Sequence, residues 1–499
     1  MRDVSAEENR HEPMKMLGII PGPAAGRQGR RGLILLAVLL LRGVAVDGRT
    51  LVLEGGSYLD ATGRMRPAAA LVIEGDRIKM IVAPGEKFAA PAGAEIIDAR
   101  GRYIIPGLID GHVHLVHILR SLQISAEELF PLFLAHGVTS VRDAGDEITA
   151  QQKLASYAGE HPGLAPRVFM CSPLVDGNPA YHPFVSWPMT DPAKVPAFVE
   201  RMSAAGVRTF KIYVGTSREV GQALVREAQH RGKWVTAHLA WGYSAQDAVA
   251  DGINSLEHIG SVFEFILPSG TPRWPPPAER VAFTKDQLAV LERRIMECKA
   301  AVDLDSPAVT GLIDAIVRRH VAINPTLVVY QNWMLLRDLD SVQQHPDLAR
   351  LPARLRQGWQ HSAQALLLDP ATLALRRQQF DKMKALTLKL QRAGVELLAG
   401  SDTPVQFCPP GGALLQELEL LTDAGLSPAE ALLAATRNNA RALGQSGELG
   451  SIEAGKLADL VVLDADPLLN IRHTRRIHRV IRAGVVLDPA ELLRLVPAH

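Results

Sequence analysis

Short apolar runs broken by turn residues occupy both ends of the chain, and their pattern is typical of β-strands. Gly55-Gly56 and Pro84-Gly85 are examples of the turn pairs. The predicted strands cover residues 50–53, 70–73, 77–82 and 94–98 near the beginning, and 460–463, 480–481 and 485–487 near the end. Because an isolated hairpin is only marginally stable, each set of strands needs the other. The pattern predicts one small β-sandwich domain formed from both chain ends, residues 47–105 and 446–499.

Between these ends, strand-like apolar runs alternate with helical patterns, which is typical of parallel strands joined by helices. Eight runs are predicted to be strands: residues 103–109, 138–142, 167–171, 207–213, 234–239, 254–257, 321–324 and 395–399. Eight such units are what a (β/α)8 TIM barrel requires. We therefore predict an α/β fold in which residues 106–445 form the barrel beside the β-sandwich. In this fold the catalytic groups sit at the carboxyl ends of the strands.

Two stretches are longer than the barrel requires and are predicted to be helical insertions, at about residues 261–320 and 327–394. Both follow a strand end, so they begin on the side of the barrel where catalytic groups are expected. We interpret them as a roof that excludes water and selects substrate. The alternative is that these insertions form the contacts between the subunits of a homo-oligomer.

The first 46 residues differ from the rest and are interpreted as a signal peptide or a disordered leader. Arg27, Arg30 and Arg31 precede an apolar run at residues 33–41, and the small residues 43–45 follow it. This order of basic, apolar and small residues is typical of a secretory signal. The run is shorter than the ~20 residues that span a bilayer, so no stable membrane span is expected. The pattern favours export, with a cytoplasmic protein as the alternative.

Composition narrows the choice of partners. The chain has 499 residues, 47% of them hydrophobic, and a formal net charge of +1. A nucleic-acid-binding protein would carry a basic excess gathered in patches, so no nucleic acid is expected as a partner. The three cysteines, Cys171, Cys298 and Cys408, are too scattered for a disulfide framework or a structural zinc knuckle.

Residues capable of catalysis fall where the barrel prediction places the strand ends. His112 and His114 follow the first strand, and residues i and i+2 of an extended segment point to the same face. Two neutral imidazoles on one face suit a zinc-like ion. The fourth, fifth, sixth and eighth predicted strands end near Lys211, His238, His258 and Asp402. Each residue alone has an ordinary structural explanation, but their joint placement around one barrel predicts a metal site.

Several of these segments resemble motifs of the amidohydrolase superfamily. Residues 106–114 resemble the opening metal motif and residues 137–143 the second strand. Residues 236–238, 257–260 and 399–403 resemble later metal and catalytic strands, and residues 450–467 resemble the return into the β-sandwich. The resemblance covers about residues 50–487. Residues 210–213 resemble the strand of imidazolonepropionase-related, prolidase-like enzymes in which a lysine is carboxylated and bridges two metals.

The resemblance implies a complete set of ligands for two divalent metal ions, taken here as Zn2+. His112, His114 and Asp402 would hold the more buried ion, and His238 and His258 the second. An N6-carboxylated Lys211 and a hydroxide would bridge them. An unmodified ammonium has no lone pair and would repel the metals, which is why the carboxylated form is expected.

The same resemblance implies a mechanism and some contacts to a small-molecule or dipeptide substrate. The metals would generate hydroxide near neutral pH, and Asp402 would carry the proton to the leaving nitrogen. Tyr213 shares a strand face with Lys211, so it is a candidate for stabilising the oxyanion and for touching substrate. His182, in the loop after the third strand, is a second candidate for substrate binding. Arg142 and Asp143 are interpreted as partners of the ligand histidines, with a plain salt bridge as the alternative for Arg142.

Three functions are compatible with these motifs. The favoured one is hydrolysis of an amide bond in a dipeptide or an N-acyl amino acid. The first alternative is a mononuclear cyclic-amide hydrolase or deaminase, which needs the histidines and Asp402 but no carbamate. Lys211 favours the binuclear reading, and no glutamate base stands next to His238 as a deaminase would require. The second alternative is a non-catalytic scaffold, although no ligand has been lost. Relatives often carry a histidine before the Glu-Leu-Glu-Leu stretch, and this chain lacks it.

Overall fold

The computed structural model describes residues 48–335, 346–364 and 370–496. The interpreted leader, residues 1–46, and parts of the second insertion lie outside the described residues. None of the described helices combines the length and the apolarity that crossing a bilayer requires.

The described elements alternate between strands and helices through the middle of the chain. The strands are β1 (Thr50–Glu54), β2 (Ser57–Leu59), β3 (Met65–Pro67), β4 (Ala70–Glu74), β5 (Arg77–Val82), β6 (Glu95–Asp98), β7 (Tyr103–Pro106), β8 (Leu108–Val113), β9 (Val138–Asp143), β10 (Arg167–Met170), β11 (Leu174–Asp176), β12 (Ser186–Pro188), β13 (Thr209–Ile212), β14 (Trp234–Ala237), β15 (Ser255–Glu257), β16 (Ala322–Asn324), β17 (Leu460–Leu463), β18 (Ile477–Arg482) and β19 (Val485–Leu487). The helices are α1 (His117–Ser121), α2 (Phe130–Ala135), α3 (Ile148–Glu160), α4 (Val195–Ala204), α5 (Arg218–His230), α6 (Ala245–Ala250), α7 (Ile259–Glu264), α8 (Pro277–Arg280), α9 (Lys285–Ala300), α10 (Pro307–Arg318), α11 (Leu327–Leu335), α12 (Pro346–Ala349), α13 (Ala353–Gln364), α14 (Pro370–Arg392), α15 (Gly412–Asp423), α16 (Pro428–Leu433), α17 (Asn439–Ala442) and α18 (Pro489–Leu495).

Strands from the two chain ends pair with each other. One sheet has the order β5-β4-β1-β6, and a second sheet has the order β19-β18-β17-β7-β2-β3. In the second sheet β17 is antiparallel to β7, which joins the end of the chain to its beginning. Leu53 and Leu71 of the first sheet share one apolar cluster with Ile104, Val462 and Ile481 of the second. Burial of these side chains from both ends couples the two sets of strands.

The prediction that residues 103–109 form the first barrel strand was wrong, because this run divides into two strands that belong to different sheets. β7 pairs with β17, whereas β8 pairs in parallel with β9. Gly107 lies at the division, where a Cβ atom would come within 2.1 Å of Oγ1 of Thr139. The apolar run is continuous through this point, so hydrophobicity alone does not reveal the change of sheet.

The middle of the chain contains parallel strands in sequential order. β8, β9 and β10 form one sheet, and β13, β14, β15 and β16 follow each other in another. A bridge between Cys171 and Thr209 links the two sheets. The eighth predicted strand, residues 395–399, is not a regular strand; single parallel bridges join Ile323 to Leu397 and Val113 to Thr403. Gly400 lies against His112 in this segment, where an added Cβ atom would come within 2.7 Å of the Cβ of His112.

The helices cover the outside of these strands with one apolar face. In α5, for example, Val220, Leu224, Val225 and Ala228 are buried, and Ser217 caps the helix by accepting a hydrogen bond from the backbone N–H of Val220. Buried residues at spacings of three and four make one face of the helix apolar. The same main core includes strand residues such as Phe210 and Val235.

The two predicted insertions contain helices in their described parts, although residues 265–276 of the first are irregular, and the two insertions contact each other. α9 of the first packs against α14 of the second. Nη2 of Arg376 lies 2.8 Å from Oε1 of Glu292, and Nζ of Lys389 donates a 2.6 Å hydrogen bond to the carbonyl of Leu304. The insertions therefore form one connected layer beyond the strands.

Candidate metal centre

The candidate ligands come together because the segment after residue 399 crosses the end of β8. The backbone N–H of Asp402 donates to the carbonyl of His112 at 2.7 Å, and that of His114 donates to the carbonyl of Thr403 at 2.8 Å. Asp402 has a φ of 56°, a left-handed conformation that non-glycine residues seldom adopt. Such conformations persist when the surroundings impose them, and they cluster at functional sites.

His112, His114 and Asp402 form a group of the size that holds one metal ion. Oδ1 of Asp402 lies 3.1 Å from Nε2 of His114 and 3.4 Å from Nε2 of His112. The potential ligand atoms of the three residues all lie within 4.8 Å of one another. Two imidazoles and a carboxylate are a donor set suited to zinc and similar ions.

His258 and His238 continue this cluster along the strand ends. The ring centroid of His258 lies 4.7 Å from that of His112 and 4.5 Å from that of His238. Nδ1 of His258 is hydrogen-bonded to Oγ1 of Thr326 at 2.8 Å, which fixes the ring. An imidazole held through one nitrogen can offer the other to a metal. The four histidines predicted as ligands are thus brought together.

Lys211 is fully enclosed within this cluster. Its side chain is 1% exposed, and Nζ finds no hydrogen-bond partner within the described part of the chain. Burial lowers the pKa of Lys211; the Glu257 carboxylate opposes this shift, and Arg142 adds to it. A buried cation without a partner is costly, so this position favours an uncharged amine or a modified one.

Burial also governs the charge of the candidate ligands. It lowers the pKa of His112 to about 4 and the pKa values of His114, His238 and His258 well below their usual range. It raises the pKa of Asp402. The imidazoles are therefore neutral at physiological pH and keep a lone pair for a metal, and a nearby cation would favour the ionised form of Asp402.

Glu257 organises the site from behind, a role that sequence reasoning missed. Its side chain is 0% exposed. It accepts hydrogen bonds from Oγ1 of Thr236 at 2.6 Å and Nδ2 of Asn324 at 2.8 Å, and Oε2 lies 2.7 Å from Nδ1 of His112. Burial opposes the charged form, but Arg142 and His112 outweigh it and hold the pKa of Glu257 well below its usual value. Glu257 therefore fixes the ring of His112 so that Nε2 faces Asp402.

Arg142 and Asp143 differ from each other in what they contact. Arg142 pairs with Glu257 and donates from Nε to the carbonyl of Gly111 at 2.6 Å, so it supports His112 through Glu257. The carboxylate oxygens of Asp143 have no hydrogen-bond partner among the described residues. Burial and the neighbouring Asp146 raise the pKa of Asp143 well above its usual range.

The predicted substrate-contacting residues lie at the edge of the cluster. The ring of Tyr213 is 5.2 Å from that of His238, and the ring of His182 is 5.6 Å from that of Tyr213. Burial raises the pKa of Tyr213 well above its usual range, so the phenol keeps its proton and can donate it in a hydrogen bond. Burial lowers the pKa of His182 to about 4.

His117 is a further neighbour that sequence reasoning missed. Its ring lies 5.1 Å from that of His114 and 6.1 Å from that of His182. Nδ1 of His117 is 2.7 Å from Oδ2 of Asp146, which also accepts the backbone N–H of His117 at 2.8 Å. The spacing of three residues after His114 was the available signal, because it places His117 at the start of α1, directly after the same strand end.

Comparisons with known proteins indicate which family the chain is similar to. Residues 329–487 match the model of the Amidohydrolase family. The chain is 24% identical to an imidazolonepropionase from Aromatoleum aromaticum over 415 residues, which cover 80% of this chain and 85% of that protein. Shorter stretches match a dihydroorotase from Trichlorobacter lovleyi and an adenine deaminase from Latilactobacillus sakei, at 43% and 32% identity. These stretches span only 15% and 23% of those proteins.

Two solved structures resemble the chain over nearly its full length. A bottromycin amidohydrolase matches with a TM-score of 0.68 and 25% identity, covering 94% of this chain and 93% of that one. A putative prolidase from Bifidobacterium longum matches with a TM-score of 0.60 and 25% identity, covering 90% and 98%.

Together these comparisons support the assignment of the chain to the amidohydrolase superfamily. Imidazolonepropionases and a putative prolidase are among the proteins that align along most of the chain, which supports an imidazolonepropionase-related, prolidase-like assignment within it. The same comparisons support a hydrolase acting on carbon–nitrogen bonds.

Proposed function

We propose that this chain is a metal-dependent hydrolase that cleaves an amide-type carbon–nitrogen bond in a small molecule, a dipeptide or an N-acyl amino acid. The observation that carries the proposal is the convergence of His112, His114 and Asp402 within 4.8 Å, beside the buried Lys211, whose Nζ has no hydrogen-bond partner among the described residues. Family membership alone does not define the substrate, because one fold hosts many chemistries. The buried site provides the reason to expect catalysis.

The architecture we propose is a closed (β/α)8 barrel of residues 106–445 and a β-sandwich of residues 47–105 and 446–499. Parallel bridges on both sides of residues 395–403 support closure. The apolar cluster that joins strands of both chain ends supports the sandwich. This arrangement accounts for the position of the candidate centre at the carboxyl ends of the strands.

The residues fit two divalent ions. His112, His114 and Asp402 would hold one, His238 and His258 would hold the other, and Lys211 in its carboxylated form would lie between them. The enclosed amine of Lys211 supports this, because an uncharged amine is the form that reacts with CO2, and a carbamate would replace a buried cation with an anionic ligand. When bound, such ions lower the pKa of water and polarise a carbonyl oxygen.

The side chains around this centre divide the remaining tasks. Asp402 holds a proton taken from water and delivers it to the nitrogen of the departing amine. Tyr213 donates a hydrogen bond to the oxygen of the scissile carbonyl as negative charge develops there. His182 contacts the substrate beside Tyr213, and Glu257 keeps His112 oriented throughout.

A mononuclear cyclic-amide hydrolase or deaminase is the second candidate function. One observation favours it: among the described residues, only His112, His114 and Asp402 form a group of at least three side chains within reach of a single ion. Imidazolonepropionase relatives align over most of the chain. The two candidates differ in how many ions activity requires and in whether Lys211 is needed.

The first experiment measures metal content and activity together. We expect close to two zinc equivalents per chain in zinc-loaded protein, and chelation should abolish hydrolysis of Xaa-Pro dipeptides or N-acyl amino acids. Lys211→Ala should lose activity and bound metal while remaining folded, and Lys194→Ala, an exposed control, should retain both. One ion with full activity in Lys211→Ala would favour the mononuclear candidate, and activity that survives a strong chelator would refute both.

Asp402→Asn separates the proton-transfer role from metal binding. The amide can still offer an oxygen to a metal, but it cannot carry a proton. We expect turnover to fall by about 10²–10⁴-fold, the usual size of a general acid–base contribution, with much of the metal retained. Near-normal turnover would remove Asp402 from the role of proton carrier.

A further inference from the structure

A row of aromatic rings leads from the candidate metal centre toward the first insertion. From His238 the row runs to Tyr213 at 5.2 Å, to Tyr181 at 6.1 Å and to Trp241 at 5.8 Å between ring centroids. Each of these residues lies in a segment that follows a strand end. Aromatic faces bind the hydrocarbon part of a ligand at little cost in side-chain entropy.

The first insertion completes the row with a second indole and a guanidinium. The Arg280 guanidinium lies over the rings of both Trp274 and Trp241, 5.3 Å and 5.9 Å from their centroids. Nε1 of Trp241 donates to the carbonyl of Trp274 at 3.0 Å, and Nε of Arg280 donates to the carbonyl of Pro275 at 2.7 Å. These contacts hold the insertion against the loop after β14 and fix the plane of the guanidinium.

One donor in this assembly is left without an acceptor. Nε1 of Trp274 is shielded from solvent and has no hydrogen-bond partner within residues 48–335, 346–364 and 370–496. An unsatisfied buried N–H destabilises the folded state, and such groups are rare in native structures. An acceptor supplied by a ligand would remove this cost. Beside a guanidinium, the acceptor best suited to the position is an anion.

We propose that Trp274 and Arg280 bind the carboxylate of an amino-acid substrate, whose hydrocarbon part lies along Tyr181 and Trp241. This inference rests on the proposed function and adds the residues that select the substrate. It assigns the preference for a free carboxylate to the insertion rather than to the strand ends. An amide or ester at the same position would lose the charge-assisted hydrogen bonds, and the protein would discriminate against it.

The test compares two probes that differ in this group alone, L-phenylalanine and L-phenylalaninamide, by calorimetric titration of the zinc-loaded enzyme. The wild-type protein should bind phenylalanine at least about tenfold more tightly than the amide, as one or two charge-assisted bonds imply. Trp274→Phe, which keeps a ring but removes the N–H, should reduce this preference severalfold. Arg280→Gln, which removes the charge, should abolish it. Each variant should weaken binding of the amide, whose carbonyl oxygen is a neutral acceptor, by less than it weakens binding of phenylalanine.

Trp187→Phe is the matched control, because Trp187 also packs beside an arginine, Arg201, and an aromatic ring, Phe198, but outside the row described here. It should bind both probes as the wild type does. Thermal unfolding identifies any variant that fails to fold. If Arg280→Gln does not fold, the result for Trp274→Phe alone decides the question. Equal wild-type affinity for the two probes would overturn the inference, as would unchanged phenylalanine binding in both Trp274→Phe and Arg280→Gln. Either result leaves amide hydrolysis, which is measured separately with a chelator, unaffected.

Discussion

The two sides of the candidate site are held in different ways. On the strand side, His112 is 1% exposed and is fixed through Glu257, which contacts one side chain from each of β8, β9, β14 and β16. On the insertion side, Trp274 and Arg280 are only half-buried and are held by ring contacts and by hydrogen bonds to backbone carbonyls. The strand side suits chemistry that needs fixed geometry, and the insertion side suits recognition that differs among relatives.

This difference predicts that substitutions on the two sides have different consequences. A change behind the strand ends should affect metal binding and stability together, because the same buried charges serve both. A change in the insertion should alter substrate preference and leave the metal in place. The following predictions test whether the two sides are separable in this way.

Glu257→Gln should have the largest effect. It leaves the Arg142 guanidinium buried without its carboxylate and weakens the support of His112. Breaking a buried ion pair costs about 3–5 kcal/mol, and loss of a residue that orients a metal ligand weakens metal binding about 10–100-fold. Urea unfolding and competitive zinc titration measure the two effects in one protein.

Glu227→Gln is the control for that variant. Glu227 pairs with Arg231 at 2.8 Å on the surface of α5, and exposed pairs of this kind contribute about 0–1 kcal/mol. Zinc affinity should not change. If Glu257→Gln proved as mild as Glu227→Gln, the strand side would not depend on its buried charges.

Glu417→Gln should change how stability depends on pH at the contact between the barrel and the second insertion. Oε2 of Glu417, in α15, accepts the backbone N–H of Val328 at 2.7 Å, near the start of α11. Burial raises the pKa of Glu417 from 4.5 to about 8. The folded state therefore holds the proton more tightly than the unfolded state. The resulting stability is complete below about pH 4.5 and is lost as the pH rises through about 8.

The measurement is the urea midpoint of wild-type protein and Glu417→Gln between pH 4.5 and 8.5. The glutamine cannot titrate, so the difference between the two proteins should shift in favour of the variant as the pH rises. Each pKa unit corresponds to about 1.4 kcal/mol, so the shift should amount to a few kcal/mol. Parallel curves would mean that Glu417 has an ordinary affinity for its proton in the folded protein.

The strand side was predictable because its signals are local. His112 and His114 are two residues apart in an extended segment, so their common face follows from strand geometry. The end of each parallel strand lies at the same edge, so Lys211, His238 and His258 were expected near them. The separate strands of the chain ends were also found from their turn residues, whereas the division at Gly107 was missed because the apolar run is unbroken there.

The other contacts of the site join residues that are far apart in the sequence, and the local pattern of apolar and polar residues does not predict such pairs. Glu257 was visible beside His258, but its partner Asn324 is 67 residues away. Trp274 and Trp241 are 33 residues apart, and Trp274 lies in an insertion with no strand periodicity to place it. Thr326 follows a predicted strand, as many polar residues do. Its hydroxyl reaches His258 only because of the turn after β16, which the sequence pattern does not show. The roles of these side chains come from tertiary packing.

Gly260→Ala should have the smallest effect and probes the point where the two sides meet. Gly260 follows His258 in α7, and a Cβ atom there would lie 2.2 Å from the hydroxyl oxygen of Tyr330 in α11, which accepts the backbone N–H of Gly260 at 3.1 Å. The ring must move, so we expect a loss of about 1–3 kcal/mol in unfolding free energy.

Gly311→Ala is the matched control, because Gly311 lies in α10 with no atom within 4 Å of the added Cβ. It should stabilise the helix by about 0.5–1 kcal/mol. A neutral Gly260→Ala would mean that the insertion tolerates displacement of Tyr330, and the two sides would then be even more independent than their contacts imply.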